Sequence, residues 1–147
     1  MSMIRSLVPV GIASMVLALG GCGSGSGDGM PAATSGPIQG LQPTLASIQD
    51  NVFTPICTGC HSGGSAPQGL DLTAGNSASH LINVQVPRST TPLLRVAPGD
   101  PDHSFLINKL EGNTMGIGVQ MPFGQPPLDP STIAMIREWI TTGALTQ

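Results

Sequence analysis

The chain has 147 residues and a formal net charge of −3, and only 9% of its side chains are charged. This weakly acidic balance gives no basic surface of the kind that nucleic-acid binding requires. Aromatic residues make up 3% of the chain and tyrosine is absent, so a domain of this sequence has a thin hydrophobic core of its own.

The N-terminal segment has the features of an export signal. Arg5 supplies a positive charge, a mostly apolar stretch covers residues 7–19, and small residues follow. The apolar stretch is too short to span a bilayer comfortably, and Pro9 and Gly11 interrupt it. The pattern therefore predicts a cleaved signal and not a permanent transmembrane helix.

The signal ends in Leu19-Gly20-Gly21-Cys22, which resembles the lipobox of bacterial lipoproteins. That resemblance implies that residues 1–21 are a lipoprotein signal peptide and that Cys22 is lipidated, so that the protein is anchored to a membrane. Gly23 stands where an aspartate would resemble an inner-membrane retention signal. This favours the periplasmic side of the outer membrane. An ordinary cleaved signal with an incidental cysteine is the alternative.

Two further regions follow the signal. Residues 22–40 are rich in Gly, Ser and Pro and carry hardly any large apolar side chain, which predicts a flexible tether of roughly 20–25 Å. Residues 41–147 are long enough for one small domain. Without Arg5, four basic side chains remain against eight acidic ones, a formal charge of −4.

The run Cys57-Thr58-Gly59-Cys60-His61 is a CxxCH motif, the attachment site of c-type haem. Its spacing lets two thiols form thioethers with one edge of a porphyrin, while the adjacent imidazole of His61 ligates the iron. We therefore expect Cys57 and Cys60 to bind one haem covalently. The alternatives are half of a zinc site, a thioredoxin-like dithiol and a chance occurrence.

Capping and apolar spacing predict three helices. The first covers residues 44–54 with Thr44 as N-cap, and the second follows Asp100-Pro101 and ends at Gly112. The third begins at Asp129-Pro130 and ends at Gly143. The predicted buried positions are Leu45, Ile48, Val52 and Phe53 in the first helix, Phe105, Leu106 and Leu110 in the second, and Ile133, Ile136, Trp139 and Ile140 in the third.

A short apolar stretch at residues 81–84 is a further helix or an extended piece, and no long alternating run predicts a sheet. The expected fold class is therefore all-α. In detail, we expect a small cytochrome c-like domain of three to four helices around one covalently attached haem.

A second iron ligand is expected from the long Gly/Pro-rich loop between Gly112 and Leu128. Met115 and Met121 both lie in this loop. Pro122 restricts Met121 to an extended backbone, which projects its side chain with little ordering entropy left to lose, so Met121 is the predicted axial ligand. The alternatives are Met115, His80, His103 and an open site.

Five segments of the sequence carry a resemblance to a known family: residues 52–61, 69–72, 95–101, 120–124 and 136–140. Together they resemble the planctomycete-type cytochrome c domain, over nearly all of the chain from about Leu45. This resemblance implies a class I cytochrome c fold, in which the first and last helices cross through an aromatic residue, here Trp139 against Val52 or Phe53. Members typically have an arginine where this chain has Gln120.

The expected function is electron transfer outside the cytoplasm by a lipid-anchored monohaem cytochrome, and not enzymatic catalysis. His61 and Met121 would be the axial ligands, and a redox donor and a redox acceptor would be the partners. One alternative is a haem enzyme or a gas or peroxide sensor with an open distal site. Another is a structural lipoprotein in which haem fills the core.

Overall fold

A computed structural model describes residues 36–147 of the chain. The predicted signal peptide at 1–21, Cys22 and most of the predicted tether at 22–40 lie outside the described residues. The described residues form four α-helices, a π-helical segment and a 3₁₀ turn, with isolated β-bridges and no strand. The all-α prediction is confirmed for this part of the chain. None of its helices has the length and apolar character needed to cross a membrane.

The first helix begins as predicted but extends further. Helix α1 covers Leu45–Ile48, and the Thr44 hydroxyl caps it by accepting from Ser47 N at 3.3 Å. The chain then continues as a π-helix over Gln49–Cys57 and not as an α-helix ending at Thr54. Pro55 lies inside it, has no N–H to donate and crowds the preceding turn, and a wider turn relieves that crowding. The CxxCH motif therefore starts within the last helical turn.

Short elements connect the motif to the second half of the domain. A 3₁₀ turn covers Pro67–Gly69, and helix α2 covers Ser77–Leu81. The apolar stretch at 81–84 is partly helical and partly extended, which are the two structures predicted for it. Leu81 ends α2, and Ile82 is extended and forms a parallel bridge with Val96.

Helix α3 covers Phe105–Glu111, which corrects the predicted start at Asp100-Pro101. Asp100 and Pro101 form a turn instead, and Ser104 is the N-cap residue. The first two backbone N–H groups of α3 donate to Leu94 O and Arg95 O, at 3.0 and 2.9 Å. The helix begins only there because a distant segment of the chain satisfies those donors. The predicted end is confirmed, since Gly112 adopts a left-handed φ of 87°.

Helix α4 covers Pro130–Thr141 and confirms the third predicted helix. The Asp129 carboxylate accepts from Ser131 N at 2.8 Å, and Pro130 occupies the first helical position. Gly143, with a φ of 102°, turns the chain back so that Trp139 Nε1 donates to Leu145 O at 2.9 Å.

One main core joins the helices. Val52 and Phe53 of the π-helix and Trp139 of α4 are each about 1% exposed and belong to this same cluster. Helix α3 packs directly against α4, and Arg137 of α4 binds Glu111 at 2.9 Å and Asp102 at 2.7 Å. A smaller cluster of Val86, Leu93 and Phe105 lies beside the main core. The crossing of the first and last helices remains an expectation from the resemblance.

Candidate functional site

The CxxCH residues form one compact turn at the end of the π-helix. Cys60 N and His61 N both donate to Cys57 O, at 3.2 and 2.9 Å. Cys57 is half-buried against the main core, whereas Cys60 is exposed. Both thiols are free of disulfides, so both are available for thioether formation.

The environment of Cys57 keeps its thiol neutral. Burial raises its pKa to about 12, and the neighbouring Cys60 acts in the same direction. The Cys57 Sγ lies 3.7 Å from Val52 O, the carbonyl to which it donates. A catalytic dithiol of the thioredoxin kind needs a lowered thiol pKa, so this environment disfavours that alternative.

His61 carries the one buried side-chain nitrogen or oxygen of residues 36–147 that has no hydrogen-bond partner, its Nδ1. Burial lowers the pKa of His61, and the charges of Arg95 and Lys109 act in the same direction. The Leu70 backbone opposes this shift without giving Nδ1 a hydrogen bond of normal geometry. The imidazole is therefore held neutral, which is the form that ligates a metal.

A buried polar network fixes the exit of this turn. The His61 carbonyl accepts from Leu72 N at 2.9 Å, and the Leu72 carbonyl accepts from Gln49 Nε2 at 2.9 Å. The Gln49 amide oxygen in turn accepts from the Ser77 hydroxyl at 2.6 Å. Gln49 and Ser77 are 6% and 2% exposed, so these bonds tie the π-helix, the segment after the motif and α2 together away from solvent.

Arg95 fastens the same segment from another direction. Its guanidinium donates to the carbonyls of Gln68 at 2.6 Å, Gly69 at 3.3 Å and His80 at 2.8 Å. The residue is buried, and burial lowers the pKa of the guanidinium. The result is a positive charge held in a fixed place near His61.

Met121 is half-buried and packs against the main core, as Cys57 does. Its backbone N donates to Lys109 O at 2.9 Å, which attaches the residue to α3. Met115, the alternative in the same loop, is 57% exposed, and its Sδ accepts from Asn108 Nδ2 at 3.3 Å. Of the two methionines, Met121 is thus the one whose side chain lies against the core shared with the CxxCH turn.

Besides the Asn108–Met115 contact, two side chains attach the residues just before Met121 to α3. Lys109 Nζ donates to the carbonyls of Ile117, at 3.3 Å, and Val119. Gln120 Nε2 donates to Leu110 O at 2.9 Å and so satisfies a carbonyl near the end of the helix. Gln120, the position at which an arginine is expected from the sequence resemblance, therefore has a structural partner here.

The two alternative histidine ligands each make a local contact through Nδ1. His80 Nδ1 lies 2.9 Å from Gly69 O, one of the carbonyls that also accept from Arg95. His103 Nδ1 lies 2.7 Å from Asp100 Oδ2, and its side chain is 81% exposed. His103 precedes α3, because this helix begins at Phe105 and not directly after Asp100-Pro101 as predicted.

Sequence reasoning did not find Gln49, Arg95 and Lys109 as residues that support the site. Lys109 could have been singled out for its role, because it is the single lysine of the sequence. Gln49 carries a weaker one, because an amide on the apolar side of a helix needs a partner when it is buried.

Comparisons of the chain with family models, with curated proteins and with solved structures found no match. Within residues 36–147, no three His, Cys, Asp or Glu side chains are grouped so that they could hold a metal ion. Two thiols for covalent attachment, a neutral imidazole with an unpartnered nitrogen and a half-buried thioether are nevertheless a donor set that fits a haem.

Proposed function

We propose that this protein is a lipid-anchored monohaem c-type cytochrome that transfers one electron at a time outside the cytoplasm. Cys57 and Cys60 would hold the haem, and His61 and Met121 would ligate its iron. Bound there, the haem supplies the one-electron couple.

The observation that carries the proposal is the shared environment of the predicted ligands. Cys57 of the CxxCH turn and Met121 of the distal loop both pack against the main core. Lys109, whose carbonyl binds the Met121 backbone, is also close enough to His61 to lower the pKa of the imidazole. Residues that are about 60 positions apart in the sequence therefore pack against the same core, which supports the proposal.

The chain's own charges favour the reduced form of such a centre. Arg95 and Lys109 both act on His61 as positive charges, and Arg95 is fixed by three carbonyls. A fixed positive charge disfavours the oxidised form, which carries one more positive charge, and the uncharged thioether of Met121 acts in the same direction. We expect a midpoint potential above that of a bis-histidine centre.

The location of the protein depends on residues 1–35, which lie outside the described part. The lipobox-like sequence ending at Cys22 and the CxxCH motif support each other, because bacteria attach haem covalently outside the cytoplasm. The two motifs share no residue, so the agreement does not follow from either motif alone.

The test compares two methionine variants of the mature protein, produced with the haem attachment machinery. Met121→Ala should lose the far-red sulfur-to-iron absorption of the oxidised form and lower the midpoint potential. Met115→Ala is the matched control and should change neither. The opposite pattern would transfer the ligand role to Met115, and rapid binding of carbon monoxide by the unaltered protein would indicate an open distal site.

A further inference from the structure

The Met121 loop is attached to α3 in an unusual way, since one residue holds it at three points. The Lys109 ammonium donates to Ile117 O and Val119 O, and the Lys109 carbonyl accepts from Met121 N. The side chain thus fixes the backbone before Met121, and the main chain fixes Met121 itself.

The Lys109 ammonium approaches the loop closely at Gly118. Gly118 has a φ of +73°, and a Cβ at this position would lie 3.2 Å from Lys109 Nζ. Gly116 has nearly the same backbone, with a φ of +76°, but a Cβ there would meet nothing within 4 Å. The left-handed backbone favours glycine at both positions, but only at 118 would a side chain also press on the Lys109 ammonium.

The rest of the loop is held weakly. Met115, Val119 and Phe123 are each more than half exposed, and their side chains give the loop little buried apolar surface. An exposed loop of this kind opens easily unless polar contacts restrain it. The Lys109 ammonium also lies over the Phe105 ring, 5.9 Å from its centroid, which is a cation–π contact within α3.

We propose that Lys109 is a positioning residue for the distal iron ligand, and that it keeps the Met121 thioether on the iron by restraining the loop that carries it. This inference rests on the proposed function. It predicts a specific consequence, because a loop that opens more often lets an external ligand compete with Met121 more effectively.

The test uses the haem-loaded protein with Lys109→Met, which keeps the apolar stem and removes the ammonium. We expect a loss of far-red band intensity, tighter binding of imidazole by the oxidised protein and faster hydrogen exchange of the Met121 amide. Lys109→Arg, which retains donors that can reach the loop, should restore most of the band. Arg137→Met is the control, because it removes another cation attached to α3 whose hydrogen bonds go to Glu111 and Asp102 and not to the loop.

A pair of glycine variants tests the same contact from the loop side. Gly118→Ala and Gly116→Ala both place a side chain at a left-handed backbone position, but only the first meets Lys109 Nζ. We expect Gly118→Ala to weaken the band and to raise imidazole affinity more than Gly116→Ala does.

Two results would overturn the inference. The first is that Lys109→Met lowers stability against urea while the band and the imidazole affinity stay unchanged, which would make Lys109 a purely structural residue. The second is that Met121→Ala retains the band, which would show that the ligand assignment itself is wrong. The two failures are distinguishable because they concern different variants.

Discussion

The two sides of the candidate site are built differently. The proximal side, which we define as the CxxCH turn with residues 66–81, is fixed by buried groups, with Gln49, Ser77 and Arg95 each under 10% exposed. The distal side, the loop 112–128, is held on α3 by two half-buried side chains: Lys109 of the helix donates to the loop, and Gln120 of the loop donates to the helix. Buried hydrogen bonds thus hold the proximal side, whereas half-buried hydrogen bonds hold the distal side on α3. We expect the distal side to open first under any perturbation.

The largest effect should come from Arg95→Met on the proximal side. This change removes three hydrogen bonds to the carbonyls of residues 68, 69 and 80. The carbonyls of residues 68 and 80 lose their donor, whereas Gly69 O keeps its contact with His80 Nδ1. We expect a loss on the order of 3 kcal/mol in the free energy of unfolding, measured in urea. Arg88→Met is the control, because Arg88 is exposed, and it should change stability by less than about 0.5 kcal/mol. Equal losses in the two variants would show that the hydrogen bonds from Arg95 to residues 68, 69 and 80 do not stabilise the fold.

A pair of glutamine variants compares the two sides directly. Gln49→Ala leaves the Leu72 carbonyl and the Ser77 hydroxyl without buried partners, and we expect a loss of about 2 kcal/mol. Gln120→Ala removes one half-buried bond to Leu110 O, and we expect a loss below about 1 kcal/mol. The far-red band should respond in the opposite order, more to Gln120→Ala than to Gln49→Ala. If the same variant had the larger effect on both stability and the far-red band, the proposed difference between the two sides would be wrong.

The smallest effect concerns acid stability. The Thr73 backbone N–H, followed by the Thr73 hydroxyl, lowers the pKa of Asp71 on the proximal side. Its stabilisation should be fully present above the ordinary carboxyl pKa of about 4 and should be lost as the pH falls through the lowered folded value. The stability difference between the unaltered protein and Asp71→Asn should therefore shrink on acidification, as followed by urea unfolding at several pH values. A difference that is independent of pH would exclude this linkage.

Local signals predicted much of the fold. Thr44 and Asp129 cap their helices as expected, and Gly112 lies at the predicted helix end, because these signals act within one turn of the chain. The start of α3 was wrong because Leu94 and Arg95, about ten residues away, accept its first N–H groups. The π-helical turns around Pro55 were also missed, since apolar spacing does not distinguish a wide helix from an ordinary one.

The candidate site divides in the same way. Cys57, Cys60 and His61 are predicted from spacing alone, and Met121 is predicted from the restricted backbone next to Pro122; these assignments stay predictions. Gln49, Arg95 and Lys109 could not be found in this way, because each acts through carbonyls that are distant in sequence or belong to an irregular loop. Residue types predict the chemistry of a site better than they predict what holds it in place.

The most direct test of the central claim is the mass of the intact protein under denaturing conditions, after production with the haem attachment machinery. The account predicts one added haem per chain that survives unfolding, that persists in a Cys22→Ser variant and that is lost when Cys57 and Cys60 are both replaced by serine. An apoprotein mass for the unaltered chain would contradict it.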